Sequence, residues 1–296
     1  MIRADNLRKR YGALTAVDGV SFAIHPGETF GLLGPNGAGK TTTINLIVGS
    51  LVPDAGAVFI DGKADPTNAA VRRQIGYAPQ ALALYEELTA HENLAFFGRL
   101  YGLESRRLRE RVDYALDLAG LTDRRGDKVT TFSGGMKRRL NIACAIVADP
   151  PVLLLDEPTA GVDPQSRNLI FDKIALLRRQ GRTIVYTTHY MEEAQRLCDR
   201  VAIMDHGRIL ALDTVERLIE LHGGTSVIEA ELDAIPDNLE SMGASIDGDR
   251  LRLETDRPLE ELARLTGSGM RLRTLRLDRA DLETVFLNLT GRRLRD

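Results

Sequence analysis

At 296 residues the chain has room for two domains of about 150 residues, or for one large domain with an appendage. Its 43% apolar content excludes disorder as a description of the whole, and 39 Lys and Arg against 42 Asp and Glu, a net charge of -3, argue against a globally basic nucleic-acid binder. Two cysteines, Cys144 and Cys198, cannot build a disulfide framework or a four-cysteine zinc site, so a reducing compartment is expected.

The first ten residues, Met1 to Arg10, lack the apolar core of a signal peptide. Nowhere do about 18 apolar residues run together; the richest stretch, Ala143 to Leu155, is broken by Asp149, Pro150 and Pro151. A soluble, cytoplasmic chain is the expectation. Thr29 to Leu33 reads as a strand buried on both faces. Gly34-Pro35-Asn36-Gly37-Ala38-Gly39-Lys40-Thr41 follows, matching G-x-x-x-x-G-K-[ST], and a helical run from Thr42 to Val48 comes next. In that context backbone N–H groups wrap phosphate oxygens, with Lys40 reaching the β and γ phosphates and Thr41 holding Mg2+.

Ala81 to Leu103 mixes apolar and acidic residues, while Arg106, Arg107, Arg109 and Arg111 read as a solvated helical face. A helix opens at Phe132-Ser133-Gly134-Gly135-Met136, with Ser133 placed to cap it and paired glycines exposing N–H groups that attract anions. Val152 to Leu155 is a buried strand ending in two carboxylates: Asp156 suits the metal, and Glu157, one residue beyond, can polarise an attacking water. Thr183 to Thr187 and Val201 to Met204 add further strands of a mostly parallel α/β sheet.

Composition shifts at Gly223-Gly224. Thr225 to Asp296 holds 15 acidic residues and 11 Arg with no Lys, net -4, which leaves 28 basic and 27 acidic residues, net +1, before it. The order there is strand (Ser226 to Leu232), helix (Pro236 to Met242), hairpin around Asp247-Gly248-Asp249, helix (Pro258 to Thr266), strand (Arg271 to Leu277). That is a split βαβ, ferredoxin-like arrangement, closed by a last helix from Arg279 to Leu289. His25, His91, His206 and His222 have no metal-ligand spacing.

The ordered set of motifs resembles the nucleotide-binding domain of ABC transporters over about residues 1–222. Ser133-Gly134-Gly135 resembles the family signature, Gln80 in Tyr77-Ala78-Pro79-Gln80 the Q-loop, Asp163 in Ala160-Gly161-Val162-Asp163-Pro164 the D-loop, and His189 in Thr187-Thr188-His189 the switch histidine. Tyr11 in Lys9-Arg10-Tyr11-Gly12 matches the aromatic that stacks on adenine. The sequence departs from the family pattern at Phe132, where leucine is usual, and at Met136, where glutamine is usual.

The resemblance implies a P-loop NTPase fold of ABC type: a mostly parallel sheet core, an antiparallel β subdomain and a helical subdomain over about residues 81–150, with a small α+β domain at 225–296. It implies ATP and Mg2+ as cofactors, two chains head to tail, and each nucleotide held between one P-loop (Gly34 to Thr42) and the partner's signature. Lys40 would stabilise phosphate charge, Thr41, Gln80 and Asp156 would hold the metal, Glu157 would activate water and His189 would contact the γ phosphate. The end of the chain and Thr188-His189-Tyr190-Met191-Glu192-Glu193 resemble ATPases of ABC-2 type exporters, the daunorubicin-resistance group among them. The expected partners are a second copy and an integral membrane permease on a separate chain, gripped by the stretch after Gln80; no nucleic acid is expected. The chain would then lie at the inner face of the cell membrane. A soluble ABC ATPase of translation or DNA repair is the alternative; one cassette, no sustained heptad run and two cysteines speak against it.

Overall fold

The apolar runs become buried strands in the computed structural model, which describes residues 1–64, 66–233, 244–267, 270–278 and 280–292. The described residues divide into two compact units between Val215 and Glu216. In chain order the first unit runs β1 (Ile2–Tyr11), β2 (Leu14–Ile24), β3 (Thr29–Leu33), α1 (Lys40–Val48), β4 (Ala55–Ile60), β5 (Lys63–Ala64), α2 (Ala69–Arg72), β6 (Ile75–Ala78), α3 (Ala90–Leu100), α4 (Ser105–Ala119), α5 (Gly134–Ile146), β7 (Val152–Asp156), α6 (Pro164–Arg179), β8 (Thr183–Thr188), α7 (Met191–Leu197), β9 (Arg200–Asp205) and β10 (Arg208–Thr214).

Two sheets and a helical layer make up this unit. The six-stranded sheet has the order β10-β9-β3-β8-β7-β6 and is parallel throughout except for the β9–β10 edge pair. Every residue of β3, β7 and β8 is buried, as continuous apolar strands covered on both faces must be. The second sheet, β2-β1-β4-β5, is antiparallel, and its apolar face (Ile2, Leu7, Val20, Ile24) joins Ile44 and Ile47 of α1 in one core. The third layer is α3, α4 and α5. Thr89 and Glu92 form a reciprocal capping box that starts α3, and Leu108, Val112, Ala115, Leu116 and Ala119 make one apolar stripe along α4. Phe132, at the position that departs from the family pattern, is buried in this layer and Met136 packs against it.

The sheet order explains where a site can form. Strands β6, β3, β8 and β7 run in the same direction, so their carboxyl ends open on one edge, the place where open α/β sheets bind ligands. Register brings Leu33 beside Thr188, Asp156 beside Thr187 and Ala78 beside Leu155. Gly34, His189 and Glu157 directly follow β3, β8 and β7, and Gln80 comes two residues after β6, so the four emerge together.

In the second unit α8 (Val215–His222) spans the division and leads to β11 (Ser226–Leu232), β12 (Ser245–Asp247), β13 (Arg250–Thr255), α9 (Pro258–Gly267), β14 (Leu272–Asp278) and α10 (Leu282–Thr290). The sheet order is β12-β13-β11-β14, antiparallel at every junction. Ile228, Leu251, Leu253 and Leu265 form its core. The helix expected at Pro236 to Met242 lies outside the described residues. The last helix starts at Leu282, later than the sequence pattern predicts, because the Asp281 side chain caps it by accepting from Thr284 N. Among the described residues no helix is long and apolar enough to cross a membrane.

Candidate functional site

The loop between β3 and α1 wraps tightly because two of its glycines have no room for a side chain. A Cβ on Gly34 would sit 2.1 Å from the Met204 carbonyl oxygen, and one on Gly39 would sit 2.3 Å from that of Ala16. Gly39 also has φ +102°, which favours glycine. Lys40, in the first turn of α1, is buried and folds back over the loop, its Nζ donating to Gly34 O at 2.8 Å and Pro35 O at 3.0 Å. Gly34 N in turn donates to Thr188 O at 3.3 Å, tying the loop to the end of β8. Asn36, Gly37 and Thr41 are exposed, Pro35, Gly39 and Thr42 are partly exposed, and Ala38 is buried.

Three sequence-predicted residues, Lys40, Gln80 and His189, converge on Glu157. Its Oε1 lies 3.2 Å from Lys40 Nζ, and its Oε2 accepts from Gln80 Nε2 at 3.1 Å. His189 Nδ1 also stands 3.2 Å from Oε2, within ion-pair reach but off the direction of a hydrogen bond. Glu157 is buried and holds φ +44°, a left-handed conformation rare for such a residue. Two bonds fix it there: Glu157 N donates to Thr187 O at 3.2 Å and to Thr187 Oγ1 at 2.9 Å.

Asp156 is fully buried at the end of β7, and burial raises its pKa, with hydrogen bonding from Thr187 and Thr41 pulling the other way. Thr187 Oγ1 donates to Oδ1 at 2.5 Å. Oδ2 is buried without a hydrogen-bond partner. A buried carboxylate oxygen left open in this way, with a threonine hydroxyl close by, fits a hard divalent cation such as Mg2+, which takes oxygen donors.

Ser133, Gly134 and Asp163 form a second group. Ser133 caps α5, its Oγ accepting from Met136 N at 3.3 Å, and Ser133 and Gly134 are exposed. Gly135 faces inward, where a Cβ would meet Ser166 Oγ at 2.3 Å; Asp163, exposed, caps α6 by accepting from Ser166 N at 2.9 Å. Tyr11 is exposed at the β1–β2 turn, and β2 continues from there to Ala16, whose carbonyl lies against Gly39.

Several participants carry no motif of their own. Arg138, buried on α5, donates to Gln80 O at 2.7 Å, Pro79 O at 3.4 Å and Ala160 O at 3.3 Å, joining two loops to the helix. Asn141, one turn on, donates to Pro79 O at 3.1 Å and accepts from Ala83 N at 3.0 Å. Thr187 Oγ1 ties the Asp156-Glu157 pair together, donating to the Asp156 carboxylate and accepting from the Glu157 backbone N–H. The signal for Arg138 is a charge on the core-facing side of a helix; Thr187 becomes visible only through the β7–β8 register.

Comparison with known proteins gives the family of the chain. Residues 17–160 match the ABC transporter family. The linearmycin resistance ATP-binding protein of Bacillus subtilis (strain 168) is 43% identical over 311 aligned positions that cover 100% of both chains. A Nod factor export ATP-binding protein I of Burkholderia orbicola (strain AU 1054) is 43% identical, covering 98% of this chain and 97% of that one. Among solved structures, an ATP-binding subunit of an ABC transporter gives a TM-score of 0.69 at 33% identity, covering 75% of this chain and 93% of that one. An ATP-binding cassette solved as a post-hydrolysis dimer with ADP and phosphate gives 0.67 at 28% identity, covering 72% and 98%. With its motifs in order, its strand ends converging on one acidic residue and relatives that match it from end to end, the chain belongs to the ABC transporter ATP-binding proteins.

Proposed function

We propose that two copies of this chain close head to tail around ATP and that the cycle of closure and hydrolysis drives ABC-2 type export through a permease on a separate chain. The convergence of Lys40, Gln80 and His189 on Glu157 carries this reading, because it gathers a phosphate-binding cation, a relay to the partner surface and a γ-phosphate contact around one base. Glu157 accepts a proton from water as the water oxygen bonds to the γ phosphorus and the bond to the bridging oxygen breaks, giving ADP and phosphate. Lys40, the loop amides and the start of α1 stabilise the charge that builds on the phosphate oxygens. Thr41, Gln80 and Asp156, through its open Oδ2, are the residues suited to hold Mg2+, which neutralises phosphate charge when bound. His189 contacts the γ phosphate, and Tyr11 stacks on adenine. Ser133 and Gly134 face outward at the start of the 13-residue α5, ready for the nucleotide of a second copy, with Asp163 beside them.

Thr187→Val keeps the shape of the strand but removes the hydroxyl that orients Asp156 and holds the Glu157 amide. Turnover is expected to fall about tenfold, with a higher Mg2+ concentration needed for half-maximal rate. Steady-state ATPase assays across a Mg2+ series check this; an unchanged Mg2+ requirement would count against the orienting role.

We infer that the permease docks on the helical layer. Tyr85 stacks edge-on to Phe96 at 4.9 Å, Phe96 meets Phe97 at 5.4 Å, and Leu82, Tyr85, Phe96 and Leu100 are all exposed. Aromatic groups exposed together are apt to anchor a protein partner. The names of the two relatives, linearmycin resistance and Nod factor export, support outward transport as the direction, and the chain would sit on the inner membrane face through that subunit. The combined change Tyr85→Ala and Phe96→Ala is expected to abolish co-purification with the membrane subunit while the melting temperature stays within a few degrees. Undiminished co-purification would remove the permease from this surface.

A further inference from the structure

Glu193, in the first turn of α7, is 2% exposed and has no part in the roles assigned above. A glutamate at a helix start commonly stays in solvent, where it complements the helix dipole. This one turns inward, and burying it is tolerable because each oxygen is bonded. Oε1 accepts from Thr159 Oγ1 at 2.7 Å, and Oε2 accepts from Tyr186 Oη and from Thr188 Oγ1, both at 2.8 Å. Arg167 Nε on α6 stands 3.8 Å from Oε1, and its guanidinium lies 5.1 Å from the centre of the Tyr190 ring.

These donors come from the two segments that frame the reaction. Thr188 precedes His189, and its hydroxyl also accepts from Tyr190 N at 2.9 Å, so one hydroxyl pins both chain neighbours of the histidine. Thr159 lies two residues beyond Glu157, and its carbonyl accepts from Val162 N at 3.2 Å, closing the turn that leads to Asp163. We infer that Glu193 is a positioning residue for ATP hydrolysis: its carboxylate locks the segment carrying His189 to the turn between Glu157 and Asp163, so that the two move as one piece. The inference rests on the roles proposed for His189 and Glu157.

Glu193→Met fills a similar volume with no acceptor. In the full chain its kcat is expected to drop about tenfold, while the Kd of a fluorescent ATP analogue stays within about twofold. Glu193→Gln recovers most of the rate, since Thr159, Thr188 and Tyr186 can turn their hydroxyls to accept from the amide. Thr159→Val lowers kcat too, and adding it to Glu193→Met costs less than the product of the single effects. The inference is overturned by a wild-type kcat in Glu193→Met, by a loss confined to KM, or by no recovery in Glu193→Gln. Should Glu193→Met fail to fold, Thr159→Val decides, and a wild-type kcat there overturns it. Glu157→Gln separates the two levels: if that variant turns over ATP, the proposed mechanism fails; if it is inactive while Glu193→Met runs at full rate, only the role of Glu193 falls.

Discussion

Glu157→Gln is expected to abolish ATP turnover, by a factor of about 100 to 10,000, and to leave ATP binding intact. The amide keeps the size of the carboxylate and its neighbours Gln80 and His189, but it cannot take a proton from water. It also releases Lys40 from the 3.2 Å ion pair with Oε1, which frees the ammonium for the phosphates. With hydrolysis blocked, two chains should stay closed around nucleotide, so that gel filtration with ATP gives a peak at twice the chain mass and removal of ATP restores the single chain. Wild-type turnover in the variant would require another base.

Lys40→Ala is expected to weaken ATP binding by about 100-fold or more. Lys40 is 4% exposed, and its ammonium is held by two loop carbonyls and by Glu157. Its removal leaves a buried carboxylate without its counter-charge and takes away a phosphate partner in a poorly solvated place. Two charge-assisted contacts to the β and γ phosphates, worth about 1.5–3 kcal/mol each, are lost, which corresponds to a factor of about 100 or more in affinity. Lys40→Arg should rescue little, because a planar guanidinium cannot replace a point charge between Gly34 O and Pro35 O. Titration calorimetry measures the affinity; an ATP Kd within about threefold of wild type would contradict this account.

How much could be read beforehand follows from the chemistry of each residue. The glycine-rich loop, the Asp156-Glu157 strand end and the Ser133 cap are local patterns, and a local pattern survives without knowledge of the fold. Gln80 and His189 are ordinary polar residues until the sheet order puts their strands beside β7. Thr187 and Glu193 lie 31 and 34 residues from the groups they serve, Asp156 and Thr159, and nothing near them in sequence marks the connection. Buried hydroxyls and carboxylates gain meaning only from what the packing places opposite them. The limits of β3, β7, β8 and β9 were legible because continuous apolar runs end at turns, whereas the start of the last helix depended on a cap at Asp281.

The bonds from Arg138 and Asn141 to the carbonyls of Pro79 and Gln80 join the helical layer to the sheet edge through main-chain atoms. Such a joint is indifferent to the side chains on the far side of the helical layer. If the permease docks as proposed on the face with Tyr85, Phe96 and Leu100, that face can be recut, residue by residue, to suit another membrane subunit while the ATP-splitting edge is inherited unaltered. Evolution can thus treat the chain as a portable engine, refitted to a new cargo by changing the coupling and not the cylinder.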